Sequence, residues 1–197
     1  KRDERLRMYK ELAEADKTDP ACWHVYAQEL ASDARFDRET VYLLNKAIRK
    51  SHPSMPLHAR LLDTLARVRW RQRHFDEALR LARFAACGED KDEWIATNLF
   101  QYARARGQTD PVLQLLRDRF QRFGKQSSLP ARTLYDAYIQ LERMNEAFDT
   151  LDEAMRLRPE DGELLTYAAE ANLYRGDFER AADLLARAEG VSRPGAG

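Results

Sequence analysis

The sequence predicts an all-α fold, a solenoid of about five antiparallel helix pairs preceded by an N-terminal half-unit. Three observations carry this. A phrase recurs: the helix that begins at Asn145 returns from Glu179, so that Ala181 and Ala188 repeat Ala147 and Ala154 at a spacing of 34, a period typical of stacked helix-pair arrays. Apolar residues fall at helical spacing along the chain, and the alternation of strands is essentially absent. Glycine and proline punctuate the periodic segments, as in the run from Ser51 to Pro56 and at Pro159 and Gly176.

The elements follow in order, all within one domain, 1–197. The half-unit, 1–19, is a single helix from Asp3 to Asp16, closed by Thr18-Asp19-Pro20. The first pair, 20–53, joins Ala21–Leu30 to Arg38–Lys50 and ends in the proline-punctuated run from Ser51 to Pro56. In the second, 57–90, Leu62, Leu65 and Ala66 mark one helix, Phe75 the turn, and Ala78, Ala82 and Ala85 the other. The third, 93–126, is degenerate. Its helices, Glu93–Ala105 and Pro111–Phe123, start the second time with Asp110 as N-cap and Pro111 at the first helical position. With Gly107 in register with Gly176, Val112 and Arg119 fall where other pairs carry alanine, and wider helix packing is expected there.

The fourth pair, 128–159, turns Leu134, Tyr135 and Tyr138 inward against Ala147, Leu151 and Ala154, and Pro159 stops it. The fifth, 160–193, runs from Glu163 to Tyr174 with Leu164, Leu165, Ala168, Ala169 and Leu173 apolar, then from Glu179 to about Glu189. Gly176 between them suits a left-handed cap. The apolar face of Leu184, Leu185 and Ala188 is followed by the tail from Gly190, which is no polar capping helix. That pattern predicts a segment of a longer protein or self-association through the ends.

The stretches from His74 to Ala85, from Asn145 to Pro159 and from Gly176 to Glu189 resemble the tetratricopeptide repeat family, with paired small residues, a turn aromatic and a closing proline. The resemblance covers nearly the whole chain and is poorest between Trp94 and Phe123. It implies a right-handed superhelical solenoid that binds proteins and presents the first helix of each pair to a concave groove. Projecting those helices places His24, Val25 and Gln28, then Thr64, Thr133, Asp136, Thr166 and Glu170, on the groove side. The partner-contact candidates are Arg60, Arg67, Trp70, Arg71, Asn98, Gln101, Arg104, Arg132, Tyr167 and Tyr174. The arginines would form a basic stretch able to grip carboxylates in two-pronged fashion, so the expected partner is a protein or peptide, and an acidic one. The set of lysine, asparagine and arginine that holds a C-terminal carboxylate in some relatives is not reproduced, since His24 and Gln28 stand in its place.

Composition sets outer bounds. Lys plus Arg and Asp plus Glu are 33 each, so the formal net charge is zero, which gives no general attraction to nucleic acid or anionic lipid. RNA recognition by a helical-repeat array is the less favoured alternative, and an architectural arm that makes contact through its ends is another. No apolar run reaches the roughly 20 residues needed to cross a bilayer, and a cytoplasmic setting is expected. Cys22 and Cys87 form no CxxC motif and are expected as buried or half-buried free thiols. The four histidines fall in different elements with no HExxH, glycine-rich phosphate motifs are missing, and Glu89, Asp90, Asp92 and Glu93 suit a solvated turn. No enzymatic role, cofactor or metal is expected. Trp23 is expected in the core, and Trp70 as packing or as an anchor for an apolar side chain. The strong excess of arginine over lysine hints at a GC-rich, bacterial source and a module of a larger assembly.

Overall fold

The computed structural model describes residues 1–89 and 92–192, which leaves Asp90, Lys91 and the tail from 193 outside the described residues. Eleven α-helices and no strands are present among them: α1 (Arg2–Ala15), α2 (Pro20–Leu30), α3 (Asp37–Lys50), α4 (Pro56–Arg71), α5 (Phe75–Gly88), α6 (Glu93–Ala105), α7 (Thr109–Phe123), α8 (Leu129–Gln140), α9 (Met144–Leu157), α10 (Gly162–Arg175) and α11 (Phe178–Ser192). The chain forms two compact units, Lys1–Val112 and Leu113–Gly197.

Local chemistry fixes the helix starts. Asp19 caps α2 by accepting the Ala21 amide at 2.8 Å, with Pro20 in the first turn, and Asp161 caps α10 by accepting the Leu164 amide at 3.0 Å. Each cap satisfies an amide that the helix itself leaves unpaired. α7 starts earlier than expected. Its first residue is Thr109, so Asp110 and Pro111 both lie inside the first turn and Asp110 is not the cap; proline is tolerated there because first-turn amides need no intrahelical acceptor.

The turns between the helices of the second to fifth pairs share one geometry, whereas the first pair is joined through a 3-10 turn at Ala34–Phe36. Arg73, Gly107, Glu142 and Gly176 all have positive φ (66°, 65°, 59° and 85°), at intervals of about 34 residues. After each, the next amide returns to the preceding helix: His74 to the Arg69 carbonyl, Gln108 to Ala103, Arg143 to Tyr138 and Asp177 to Asn172, all at 2.9 Å. This is the six-to-one closure of a Schellman turn. The period is therefore written in the backbone even where, as at Arg73 and Glu142, glycine is missing.

Within the first unit α1 packs on α2, α2 on α3 and α4, α4 on α5 and α6, and α5 on α6. Trp23 anchors the α1–α3 end, only 2% exposed, with its indole N–H donating to the Ala13 carbonyl at 3.1 Å and the Lys46 ammonium 3.5 Å from its ring centroid. The alanines Ala78, Ala82 and Ala85 are fully buried; small side chains there let neighbouring helices approach closely. In the second unit α8 packs on α9, α9 on α10 and α10 on α11, around Leu134, Tyr138, Ala147, Leu151, Ala154, Leu164 and Leu165. Val112 and Arg119 are both buried, as their register requires.

Several expectations are corrected. Leu173 does not join the inward face of α10 and is 44% exposed, while Leu184 and Ala188 are covered and leave only Leu185 of that trio exposed. α11 extends beyond its expected limits at both ends. Cys22 is half-buried, but Cys87 is exposed. Glu89 is buried and not a solvated turn residue. No helix among the described residues is long and apolar enough to cross a membrane.

Candidate functional site

In the first unit, polar side chains join α2, α4 and α6. Asp63, one of the few buried carboxylates, accepts the Asn98 side-chain amide at 3.0 Å, so α4 and α6 are tied by a hydrogen bond and not merely by packing. Burial raises the Asp63 pKa; the Asn98 hydrogen bond and the nearby Arg67 charge act against that shift. His24 belongs to this interior and not to a groove lining: it is buried, with Nε2 3.3 Å from the Thr64 hydroxyl, and burial together with the Arg60 and Arg67 charges lowers its pKa to about 4. Thr64 and Thr133 are buried as well.

The expected arginine stretch is distributed among internal partners. Arg71 is ion-paired with Asp37 at the start of α3 and donates to the Ala31 carbonyl at 2.8 Å, clipping α4 to the preceding pair. Arg60 is exposed and pairs with Asp92 at 3.3 Å. Arg67 is half-buried beside Asp63. Trp70 is stacked on Tyr102 of α6 at 4.5 Å and meets Phe75 edge-on at 4.8 Å, and Arg106 lies over the Phe75 ring at 5.0 Å. These contacts make Trp70 a packing residue between successive pairs. Gln101 and Arg104 are exposed on α6.

The second unit holds a more enclosed feature, an aromatic cleft of about 340 Å³ between α8, the start of α9, and α10. Its floor is the buried trio Tyr135, Phe148 and Ala171. Tyr135 meets Phe148 edge-on at 5.6 Å and Tyr167 edge-on at 5.7 Å, the offset geometry that aromatic quadrupoles favour. Ile139 and Met144 supply an aliphatic wall, and Tyr174, 93% exposed, stands at the mouth. The hydroxyl of Tyr167 donates to Asp136 at 2.6 Å across the two helices, and the Arg132 guanidinium lies 4.6 Å from the Tyr167 centroid. Burial and the Asp136 carboxylate hold the Tyr167 hydroxyl far above its ordinary pKa, so it remains a donor. Arg175 lies 3.9 Å from the Phe148 centroid and donates to Asp177 at 3.0 Å.

Of the sequence-derived candidates, then, Arg132, Tyr167 and Tyr174 come together around this cleft, whereas Arg71 and Trp70 are taken up by packing. The projection missed Ile139, Met144, Phe148 and Arg175, and assigned Tyr135 to the core alone. The signal available was the density of aromatic residues on the first helices of the last two pairs. A wider groove along α7, α9 and α11 carries both signs of charge, with Asp152 and Arg180 paired across it. No group of three metal-ligating side chains occurs among the described residues.

No protein-family model and no curated protein matches this chain. Among solved structures it is similar to YrrB, a tetratricopeptide repeat protein with an unusual peptide-binding site, over 93% of this chain and 91% of that one, at 14% identity and a TM-score of 0.51. The fold is of the tetratricopeptide type. A chain of the Cut9–Hcn1 hetero-tetramer of the APC/C is similar at 15% identity and a TM-score of 0.51; all of this chain matches 38% of that longer one. Both likenesses are of fold. In a tetratricopeptide arrangement α4, α6, α8 and α10 are the first helices of their pairs, and the polar ties of the first unit and the cleft of the second are both built on them.

Proposed function

We propose that this chain is a non-catalytic scaffold that binds a segment of a partner protein, with the cleft between α8 and α10 as the anchoring site. The observation that carries this is the combination of a buried aromatic floor, Tyr135 and Phe148, with a fully exposed tyrosine, Tyr174, at the mouth. Aromatic pockets of this kind take up one apolar side chain and supply most of the energy of an interface. Exposed Arg60, Gln101 and Arg104 of the first unit are proposed as further contacts, in the cytoplasmic setting expected from the sequence. Screening a displayed random-peptide pool against the chain and against Tyr174→Ala tests the reading. Enrichment of sequences with a central apolar residue, lost in the variant, is expected; equal enrichment by both proteins refutes it.

A second reading is favoured by one comparison between repeats. Ala82 on α5 is fully buried, whereas Leu185, in the same register on α11, is 40% exposed; Leu173 and Phe178 of the same pair are 44% and 69% exposed. The face covered in the second pair is open in the last, which supports pairing with a second copy of the chain through that end. Sedimentation equilibrium on the chain and on Leu185→Lys decides it: a concentration-dependent dimer abolished by the substitution is expected, and a monomer throughout rules it out.

A further inference from the structure

The charges around the cleft mouth are answered unevenly, and this deepens the reading above, on which it rests. Arg175 is engaged twice within its own turn, by Asp177 at 3.0 Å and Asn172 at 3.2 Å, while its guanidinium covers Phe148. Its charge is answered locally. The carboxylates are not answered in the same way. Asp136 is exposed and its hydrogen-bond donor is the neutral hydroxyl of Tyr167, with the Arg132 charge, laid over the Tyr167 ring, acting on it without a hydrogen bond that ties the two. Glu170 is exposed and makes no hydrogen bond or ion pair among the described residues. Glu163, also exposed, lies two helical turns before Glu170 and so on the same face of α10, and Tyr174 continues that face one turn later. The outward stripe of α10 thus presents two free carboxylates leading to an exposed aromatic ring.

We propose that the occupant of this cleft is a basic segment of a partner protein, in which an apolar side chain enters between Tyr135, Phe148 and Tyr174 while flanking arginine or lysine residues meet Glu170 and Asp136. This is opposite in sign to the acidic ligand expected from the arginine stretch in the sequence. The aromatic faces fit the same chemistry: the chain already lays its own guanidinium groups on Phe148 and Tyr167, and cations are attracted to the negative face of such rings. Rim charges of this kind steer association and choose between partners more than they add affinity.

The test uses three fluorescein-labelled synthetic peptides that share one central leucine and differ only in flanks of arginine, of glutamate or of serine. Binding is followed by anisotropy at two salt concentrations. The arginine-flanked peptide is expected to bind the chain tightest and to weaken with salt. Glu170→Lys is expected to weaken it about 5-fold, the scale of an exposed ion pair, and to improve the glutamate-flanked peptide. Glu153→Lys, on the exposed face of α9 that lines the wider groove, is expected to change neither. Tyr174→Ala is expected to weaken all three. Equal binding of the three peptides, each lost in Tyr174→Ala, overturns the charge assignment and leaves the cleft standing as the anchoring site. Binding indifferent to Tyr174→Ala overturns the cleft and the charge assignment together. An equal response to Glu170→Lys and Glu153→Lys reduces the effect to general attraction and also overturns the assignment. Both positions are solvent-exposed, so helicity by circular dichroism should match the parent chain and confirm that each variant folds.

Discussion

Tyr167 on α10 donates its hydroxyl to the carboxylate of Asp136 on α8 across 2.6 Å, and this one bond fixes the distance between two helices that wall the cleft. Tyr167→Phe keeps the ring and the edge-on contact with Tyr135 but removes the donor. A loss of about 1 kcal/mol is expected, the ordinary net worth of such a bond, measured by urea denaturation. An unchanged midpoint would show that the tie contributes nothing.

His24 predicts an acid-labile first unit. Its imidazole is neutral when folded, because burial and the Arg60 and Arg67 charges lower its pKa to about 4, whereas in the unfolded chain it takes a proton near 6.5. Between these values the unfolded state binds more protons, so stability is fully present above about pH 6.5 and declines as pH falls towards 4, by about 3 kcal/mol at most. Denaturation curves for the chain and for His24→Asn across this window should converge on acidification. Parallel curves would remove His24 as the cause.

Asn98→Ala leaves the buried Asp63 carboxylate without its donor. A cost of about 2 kcal/mol is expected, since an unsatisfied buried acceptor bears its full desolvation penalty. Asp63→Asn in the Asn98→Ala background should recover part of the loss by removing the charge. Failure to recover any of it would place the destabilisation in packing.

The left-handed turns yield opposed outcomes at equivalent positions. Arg73→Gly and Glu142→Gly relieve the steric cost of a side chain at positive φ and should stabilise by about 0.5 kcal/mol each, after the greater unfolded entropy of glycine is counted. Gly107→Ala and Gly176→Ala should each destabilise by about 1 kcal/mol. Thermal denaturation of the four variants would expose any break in the pattern.

The two thiols should separate by reactivity. Cys87 is exposed, whereas Cys22 is half-buried and its thiol is raised by desolvation and then by the Asp19 charge. A thiolate-specific reagent at neutral pH should label Cys87 first; mass-spectrometric mapping that found Cys22 labelled earlier would contradict the assignment.

The repeat plan was legible because it is local. Apolar spacing, Asp19 and Asp161 as caps, and Gly176 as a turn residue all act within a few neighbours in sequence. The site was less legible because its partners come from other pairs. Arg71 looked like a groove cation until Asp37, 34 residues earlier, claimed it. Trp70 suits packing or anchoring in the sequence, and only Tyr102, stacked upon it from the next pair, decides for packing. Phe148 and Met144, on a second helix, reach the cleft only because α9 starts beside it, and no projection of first helices alone includes them. Tyr167 and Tyr174 could be projected because both lie on the first helix of their pair, away from its buried Leu164, Leu165, Ala168 and Ala169.

The placement of Trp23 has a spectroscopic consequence. All three tryptophans, Trp23, Trp70 and Trp94, belong to the first unit, while the second carries only tyrosine and phenylalanine as its aromatic residues. Excitation selective for indole therefore illuminates one half of the chain, while the far-ultraviolet ellipticity sums over both. Superimposed melting curves from the two signals would describe a single cooperative block, and displaced curves two blocks that melt in turn, with the colour of the light naming which goes first.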